Sequence, residues 1–250
     1  MRILCTNDDG ILAYGLECLV RAAEPLGEIT VVAPDREQSA TSHSLTLHHP
    51  VRPIRHAERR YQIDGTPTDC VMLAVQGLMP EPPDFVLSGI NHGSNMGEDV
   101  LYSGTVSAAM EATVFGIPAV ALSYTGRGDV EHLEAYGPLL ERLLARILAQ
   151  DGFPRETLLN VNLPPIPADQ VKGVKVTRLG RRVFSDSFTR GTDPSGRPYF
   201  WIGGGRVEWA PAEGTDNHAV ENGYVSVTPL HLDLTNHALI ADVAAWGLTA

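Results

Sequence analysis

The sequence predicts an α/β protein with a mostly parallel sheet and helices on both of its faces. Short apolar runs alternate with helical patterns through the first half of the chain. Strands that are apolar throughout are typical of a parallel sheet that is buried on both faces. Polar and glycine-rich stretches follow these strands, at residues 7–10, 35–44 and 88–95. Because ligands bind beyond the carboxyl ends of the strands in such sheets, we expect the functional residues at one edge of the sheet.

The elements of the first half follow one another in the order of this alternation. Apolar residues at helical spacing indicate the helices, and a proline or glycine marks most of their ends. We predict strands at Ile3–Thr6, Ile29–Ala33, Phe85–Leu87 and Ala119–Ser123, and helices at Leu16–Ala23, Thr68–Leu78, Val106–Phe115 and Leu133–Ala149.

The pattern changes after about residue 165, where several prolines interrupt the chain. We therefore divide the chain into a core, residues 1–165, and an extension, residues 166–250. The extension is predicted to contain ribbons at Val171–Leu179, Val183–Phe188, Tyr199–Ile202 and Val207–Trp209, an exposed loop at Glu213–Asn217, a strand at Tyr224–Thr228 and a helix at His237–Trp246.

Aromatic side chains on these ribbons have two interpretations. A hairpin could protrude and pack against another subunit, or the extension could fold back on its own core. Trp201 and Trp209 are interpreted as packing residues in either case, in preference to the alternative that they stack on a nucleobase.

Composition excludes several classes of protein. The formal charge of −11 argues against non-specific binding to a nucleic acid duplex or an anionic membrane, since both depend on clustered Lys and Arg. It is compatible with a small phosphate-bearing substrate, because a bound metal reverses the local sign. The three cysteines have no CxxC spacing and are predicted to be buried free thiols. With no signal peptide and no apolar segment near the ~20 residues of a membrane span, we expect a cytoplasmic protein without a membrane partner.

Two adjacent carboxylates, Asp8 and Asp9, directly follow the first predicted strand. With no Lys or Arg beside them, they repel each other and are costly to desolvate. A divalent cation relieves both effects, and oxygen ligands favour Mg²⁺, Mn²⁺ or Ca²⁺ over Zn²⁺. The alternative is an ordinary Asp-Gly turn, in which these residue types are favoured for backbone reasons.

Two further stretches contain residue types that bind anions or metals. Residues 88–97 include three glycines and two asparagines, which bring N–H groups and amide oxygens close to a ligand. Residues 102–106 precede an alanine-rich helix, whose N-terminal hydroxyls and N–H groups suit an anion. A plain loop and a simple N-cap are the respective alternatives. Residues 65–70, which open another helix, are interpreted mainly as a cap.

Two single residues complete the candidates. Ser39 lies after the second predicted strand and can approach the two aspartates if the first two strands are neighbours. His92 lies within the glycine- and asparagine-rich stretch and is a candidate for contact with substrate.

Taken together, these stretches resemble the survival protein E family, the stationary-phase survival phosphatases also called 5′-nucleotidases. The resemblance runs in order over nearly the whole chain. Its matching stretches are residues 2–10, 33–35 with Ser39, 65–71, 88–91 with Gly93 and Asn95, 102–106 and 223–229.

The resemblance implies a Rossmann-like core that holds one divalent metal ion per subunit, Mg²⁺ or Mn²⁺. It implies metal ligands Asp8, Asp9, Ser39 and Asn91, and phosphate-binding residues Asn95, Ser103, Gly104 and Thr105. It also implies a homodimer or homotetramer whose C-terminal segments are exchanged. The sequence departs from the family after Ser39, where Ala40-Thr41-Ser42-His43 stands in a loop that often contains a glycine.

The function implied is a metal-dependent phosphomonoesterase that hydrolyses nucleoside 5′-monophosphates, with Asp8 and Asp9 as catalytic residues. The resemblance leaves open whether 3′-nucleotides and short polyphosphate are cleaved, and which aspartate acts on the attacking water. One alternative class is a nucleotide-binding regulator without catalysis. Another is a glycosyltransferase-like enzyme, disfavoured because no Asp-x-Asp pair ends a predicted strand.

Overall fold

A computed structural model describes residues 1–126, 130–150, 152–154, 156–183, 188–202 and 208–248. Parts of two predicted ribbons, residues 184–187 and residue 207, lie outside these ranges. The described residues form thirteen strands: β1 (Arg2–Thr6), β2 (Glu28–Pro34), β3 (Pro53–Ala57), β4 (Arg60–Ile63), β5 (Phe85–His92), β6 (Ala119–Tyr124), β7 (Thr157–Leu163), β8 (Val174–Val176), β9 (Arg182–Val183), β10 (Phe188–Thr192), β11 (Pro198–Ile202), β12 (Glu208–Trp209) and β13 (Val225–His231).

Nine of these strands form the central sheet, in the order β3-β4-β2-β1-β5-β6-β7-β13-β8. The six strands from β4 to β7 run parallel to one another. The outer strand β3 is antiparallel to β4, and β13 is antiparallel to β7. The carboxyl ends of the parallel strands therefore meet at one edge of the sheet, as the polar stretches predict.

Helices cover both faces of the sheet. The described α-helices are α1 (Tyr14–Ala23), α2 (Pro67–Leu73), α3 (Gly104–Val114), α4 (Val130–Ala135), α5 (Gly137–Leu148), α6 (Asp216–Glu221) and α7 (Ile240–Ala244). On one face, α1 and α5 bury leucines such as Leu16 and Leu140 in one apolar cluster. On the other face, α2 and α3 bury small side chains such as Cys70 and Ala109 in a second cluster. The small residues let α3 approach the sheet closely, which places its N-terminus at the carboxyl edge.

The predicted fold class is confirmed: the sheet is mostly parallel and lies between two helical layers. Three elements of the sheet were not predicted, namely β3, β4 and β7. The predicted helix at Leu133–Ala149 is divided into α4 and α5. The buried free cysteines are confirmed for all three thiols. None of the described helices has the length and apolar character needed to cross a membrane.

The extension contributes both to the sheet and outside it. Strands β8 and β13 join the central sheet, while β10 pairs with β11 and β9 pairs with β12 in two small antiparallel ribbons. The prediction of an exposed loop at Glu213–Asn217 was wrong for its second half. Residues 215–217 are buried, and α6 begins at Asp216. Asp216 is fully buried because its carboxylate accepts hydrogen bonds from three backbone N–H groups, those of Gly97, Gly180 and Asn217.

Candidate active site

The loop after β1 carries the two aspartates to the carboxyl edge of the sheet. Asn7 fixes this loop, because its side chain donates to the Gly10 carbonyl at 3.0 Å and accepts from the Gly10 N–H at 3.2 Å. The next loop is tied to it by the Gln38 N–H, which donates to the Asp8 carbonyl at 2.7 Å. Strands β1 and β2 are neighbours, and so are the loops that follow them, which is the condition for Ser39 to approach the two aspartates.

Asp8 is buried at the N-terminus of α3. Only 4% of the residue is exposed, and its Oδ1 accepts a hydrogen bond from the Thr105 hydroxyl. A Cβ atom added at Gly104 would stand 2.8 Å from the Asp8 Cβ and 3.0 Å from its Oδ2, so only glycine allows this approach. The pKa of Asp8 is raised from 3.8 to about 6, mainly by burial; the Thr105 hydrogen bond opposes the rise and the charge of Asp9 adds to it.

Asp9 is partly buried beside the end of β5. Its Oδ2 accepts a hydrogen bond from the His92 N–H at 3.1 Å. Burial also raises the pKa of Asp9, and the nearby charge of Glu37 acts in the same direction. Both carboxylates thus carry a cost of ionisation that a bound cation would remove. With a serine and an asparagine nearby, the donor set consists of hard oxygen atoms, which fits a divalent cation such as Mg²⁺ or Mn²⁺.

The raised pKa of Asp8 predicts a pH dependence of stability in the metal-free protein. Between pH 3.8 and about 6, the folded state binds more protons than the unfolded state. The free energy of unfolding therefore falls as pH rises through this window. We expect metal-free Asp8→Asn to melt above the wild type at pH 7.5, by about 2–4 °C for each kcal/mol regained. We expect the two proteins to converge near pH 4.

Differential scanning fluorimetry in EDTA at several pH values measures this difference. Asp169→Asn is the matched control, because Asp169 is exposed in a short turn and does not line the cavity that contains Asp8. A melting-temperature difference between Asp8→Asn and wild type that does not change with pH contradicts the prediction.

Ser39 and Asn91, the other two predicted metal ligands, line a cavity that Asp8 also lines. Ser39 is exposed, and its hydroxyl donates to Glu37 Oε1 at 2.6 Å. The Asn91 side-chain nitrogen donates to the Gly93 carbonyl at 2.8 Å, which leaves the amide oxygen as the atom able to bind a cation. The loop after Ser39 has Ala40 and Ser42 at φ of 57° and 55°, a conformation that favours glycine.

Asn95 is held by a buried polar network that the sequence analysis did not identify. Its N–H donates to Asn162 Oδ1 at 3.0 Å, and its side-chain nitrogen donates to the Ser123 hydroxyl at 2.8 Å. The side chains of Asn160 and Asn162 both donate to its carbonyl, at 2.8 and 3.0 Å. A sequence signal for this network existed, because two asparagines alternate in an otherwise apolar strand and buried amides need partners.

Three of the four predicted phosphate-binding residues, Ser103, Gly104 and Thr105, lie at the start of α3. Ser103 is the N-cap, since its hydroxyl oxygen accepts from the Val106 N–H at 3.1 Å. The capping interpretation of Ser103 is thus confirmed, and capping leaves its hydroxyl hydrogen available to an anion. The first N–H groups of α3, on Gly104 and Thr105, have no partner within the helix by geometry. The cap interpretation of residues 65–70 is also confirmed, by reciprocal hydrogen bonds between Thr66 and Asp69.

These residues surround one open cavity of about 540 Å³. Its wall includes five of the predicted residues, together with Ala40, His92 and Trp209: the five are Asp8, Ser39, Asn91, Asn95 and Ser103. Asp9, Gly104 and Thr105 adjoin this wall through the contacts described above. The described parts of the chain contain no group of three or more His, Cys, Asp or Glu side chains that could hold a metal ion by themselves. The predicted metal ligands include only two such side chains, Asp8 and Asp9. The other two ligands are the hydroxyl of Ser39 and the amide of Asn91.

Arg182 and Trp209 are among the cavity residues that were missed or misinterpreted. Arg182 and Trp209 face each other as partners in the β9–β12 ribbon, and both line the cavity. The interpretation of Trp209 as a packing residue is therefore incomplete. No sequence pattern places this ribbon beside Asn95, because Arg182 and Trp209 lie far from Asn95 in the sequence and only the tertiary fold brings them together.

Comparison with known proteins gives the family. The family model described as Survival protein SurE matches residues 3–186. A protein of Gemmatimonas aurantiaca named 5′-nucleotidase SurE is 62% identical over 249 residues, with 98% of each chain covered. One of the same name from Geobacter sulfurreducens is 48% identical, covering 100% of this chain and 95% of its own.

A solved structure agrees with these matches. The crystal structure of the Sure protein from Aquifex aeolicus superposes with a TM-score of 0.87 and 42% sequence identity. It covers 98% of this chain and 99% of its own. The sequence matches and the shared fold extend over the strand ends that carry Asp8, Asn91 and Asn95. This chain belongs to the survival protein SurE family.

Proposed function

We propose that the chain is a 5′-nucleotidase, a metal-dependent phosphomonoesterase that converts nucleoside 5′-monophosphates to nucleoside and phosphate. The name of its relatives supports the reaction class. The observation that carries the proposal is the position of Asp8 against the N-terminus of α3, where a carboxylate and an anion-binding helix end share one cavity. A cation is required between them, because Asp8 and a phosphate would otherwise repel each other.

Asp8, Asp9, Ser39 and Asn91 would hold one divalent cation per subunit, Mg²⁺ or Mn²⁺. When bound, that cation supplies Lewis-acid polarisation of a phosphate oxygen and lowers the pKa of a coordinated water.

The chain's own residues bind and orient the phosphate. The N–H groups of Gly104 and Thr105 and the hydroxyl of Ser103 would donate to its oxygens, where the helix dipole also favours negative charge. The side chain of Asn95 would add a further donor. These donors stabilise the charge that grows on the phosphoryl oxygens as the bond to the ribose oxygen breaks. One of the two aspartates would orient or deprotonate the attacking water.

Phosphate release measured across nucleoside monophosphates tests the proposal. We expect turnover with Mg²⁺ or Mn²⁺ and its loss in EDTA, with recovery when the metal is restored. The same assay with 3′-nucleotides and short polyphosphate defines the substrate range. Tight nucleotide binding without phosphate release under any metal would instead indicate a regulator.

We also propose that the extension, residues 166–250, joins subunits into a homodimer or homotetramer around the core, residues 1–165. Large apolar side chains are exposed on the β10–β11 hairpin and in the C-terminal segment. They include Trp201 at 70%, Ile202 at 91%, Leu234 at 89% and Trp246 at 69% exposed. Large exposed apolar side chains in such number are typical of an interface between subunits.

Size-exclusion chromatography with light scattering measures the oligomeric state. We expect a multiple of the 27.0 kDa chain mass for the wild type, and a shift to smaller species for the double variant Trp201→Glu/Ile202→Glu. Ser195→Glu, in the exposed turn of the same hairpin, is the matched control. A wild type that elutes as a clean monomer contradicts the proposal.

A cytoplasmic location is proposed as well, supported by the three buried free cysteines, which suit a reducing compartment. Fractionation of cells with an antibody against the protein tests it, and recovery in the periplasmic or membrane fraction contradicts it.

A further inference from the structure

We propose that Trp209 forms the nucleobase subsite of this cavity, with the indole as the surface on which the base stacks. This inference rests on the proposed nucleotidase function and extends it to the recognition of the nucleoside. No residue named so far for metal or phosphate binding can recognise a base, because those residues all converge on the strand ends and the start of α3. The base of a bound nucleotide lies one ribose away from the phosphate and must contact another wall.

The β9–β12 ribbon supplies that wall. Trp209 is partly buried, pairs with Arg182 across the ribbon and lines the same cavity as Asp8 and Ser103. The cavity volume of about 540 Å³ is within the range of roughly 300–1,000 Å³ that takes a small ligand whole. A flat aromatic ring at a fixed distance from a phosphate pocket is suited to stacking, since every base offers a π face.

The indole is held in place by the turn that follows Asn95. A Cβ atom at Gly97 would stand 2.6 Å from the Trp209 ring and 2.8 Å from the Gly180 carbonyl oxygen. Gly97 also has a φ of +53°, and its N–H donates to Asp216 at 2.9 Å. The ring therefore packs on a backbone segment two residues from the phosphate-binding Asn95. This contact fixes the distance between the two subsites.

Arg182 adjusts the charge beside the ring. Its guanidinium pairs with Asp99, a second acidic residue on the cavity wall. Its own N–H donates to Glu98 at 2.6 Å, which attaches the ribbon to the turn at residues 97–101. Pairing neutralises Asp99, so that the cavity mouth repels an anionic nucleotide less. Arg182 is thus a positioning residue for the ribbon, and Trp209 is the specificity-determining residue.

Steady-state kinetics with AMP and ribose 5-phosphate test the subsite, because the two substrates share the phosphate and differ by the base. For Trp209→Ala we expect KM for AMP to rise about tenfold, in line with measured base–aromatic stacking. We expect the values for ribose 5-phosphate to be unchanged and Trp209→Phe to keep most of the preference for AMP. Trp201→Phe, in the exposed hairpin outside the cavity, is the matched control, because it removes an indole but keeps an apolar ring at the proposed subunit interface.

Two results would overturn the inference. Parallel losses for AMP and ribose 5-phosphate in Trp209→Ala would show that the ring only supports the Asn95 turn. Unchanged kinetics for both substrates would show that the base lies elsewhere.

Fluorescence tests the same subsite without turnover, so that its failure is distinguishable from failure of the nucleotidase proposal. The chain has three tryptophans, at 201, 209 and 246. In the double variant Trp201→Phe/Trp246→Phe, all indole emission comes from Trp209. Adenosine is expected to quench this emission saturably, while ribose 5-phosphate is not. No quenching by millimolar adenosine or AMP would overturn the subsite, whether or not phosphate is released.

Discussion

Replacing Asp9 with asparagine is expected to lower kcat/KM for nucleoside monophosphates by about a thousandfold, equivalent to ~4 kcal/mol of transition-state stabilisation. The change keeps the shape of the side chain and the acceptor for the His92 N–H, so the fold is expected to survive. It removes a negative charge from the proposed cation site, so that Asp8 would be the only carboxylate left to bind a divalent ion. Phosphate release at saturating Mg²⁺ or Mn²⁺ measures the effect.

The control for this variant is Asp169→Asn, which removes the same charge from an exposed turn and should keep wild-type turnover. Circular dichroism establishes that both variants are folded. Wild-type activity of Asp9→Asn under saturating metal would remove Asp9 from the proposed cation site and from the chemistry.

The substitution Gly104→Ala is expected to lower kcat by about a hundredfold, or ~3 kcal/mol. The added methyl group would stand 2.8 Å from the Asp8 Cβ and 3.1 Å from the Pro67 Cγ, closer than packed atoms tolerate. Either Asp8 moves away from the proposed cation, or the first turn of α3 moves away from the phosphate. Because alanine is otherwise a better helix residue than glycine, the loss cannot be assigned to helix propensity.

Gly137→Ala is the matched control for Gly104→Ala. Gly137 is likewise the first residue of a helix, α5, and an added Cβ atom there meets nothing within 4 Å. We expect unchanged turnover for Gly137→Ala. Equal kinetics for the two alanine variants would show that the close approach of α3 to Asp8 has no part in catalysis.

Much of the fold follows from patterns in the sequence that have a local physical cause. The buried strands β1, β2 and β6 are continuous apolar runs, and the helices that cover them have the spacing of a single apolar face. The antiparallel pair β3–β4 was missed because β3 is exposed throughout and β4 is mostly half-buried, so that neither strand has this pattern. Strand β7 was missed because Asn160 and Asn162 interrupt its apolar run, although both amides are buried.

The candidate site was predictable only where its residues follow strands in the core. Asp8, Asp9 and Asn91 each follow or end a parallel strand, so the topology of the sheet alone brings them to one edge. Trp209 reaches the cavity through a short ribbon whose pairing has no periodic signal. Asp216 was assigned to an exposed loop because an acidic residue among polar neighbours is normally solvated, whereas here three N–H groups replace the water.

The buried carboxylate of Asp216 links two segments that are distant in the sequence. One oxygen accepts from Gly97 in the turn after Asn95, and the other accepts from Gly180 in the extension. Loss of the Asp216 carboxylate would release both N–H groups and leave the turn after Asn95 without this anchor. This anchor of the proposed nucleotide pocket can therefore form only once residue 216 has been synthesised, and a nascent fragment that already contains Asp8 and Asp9 would lack it.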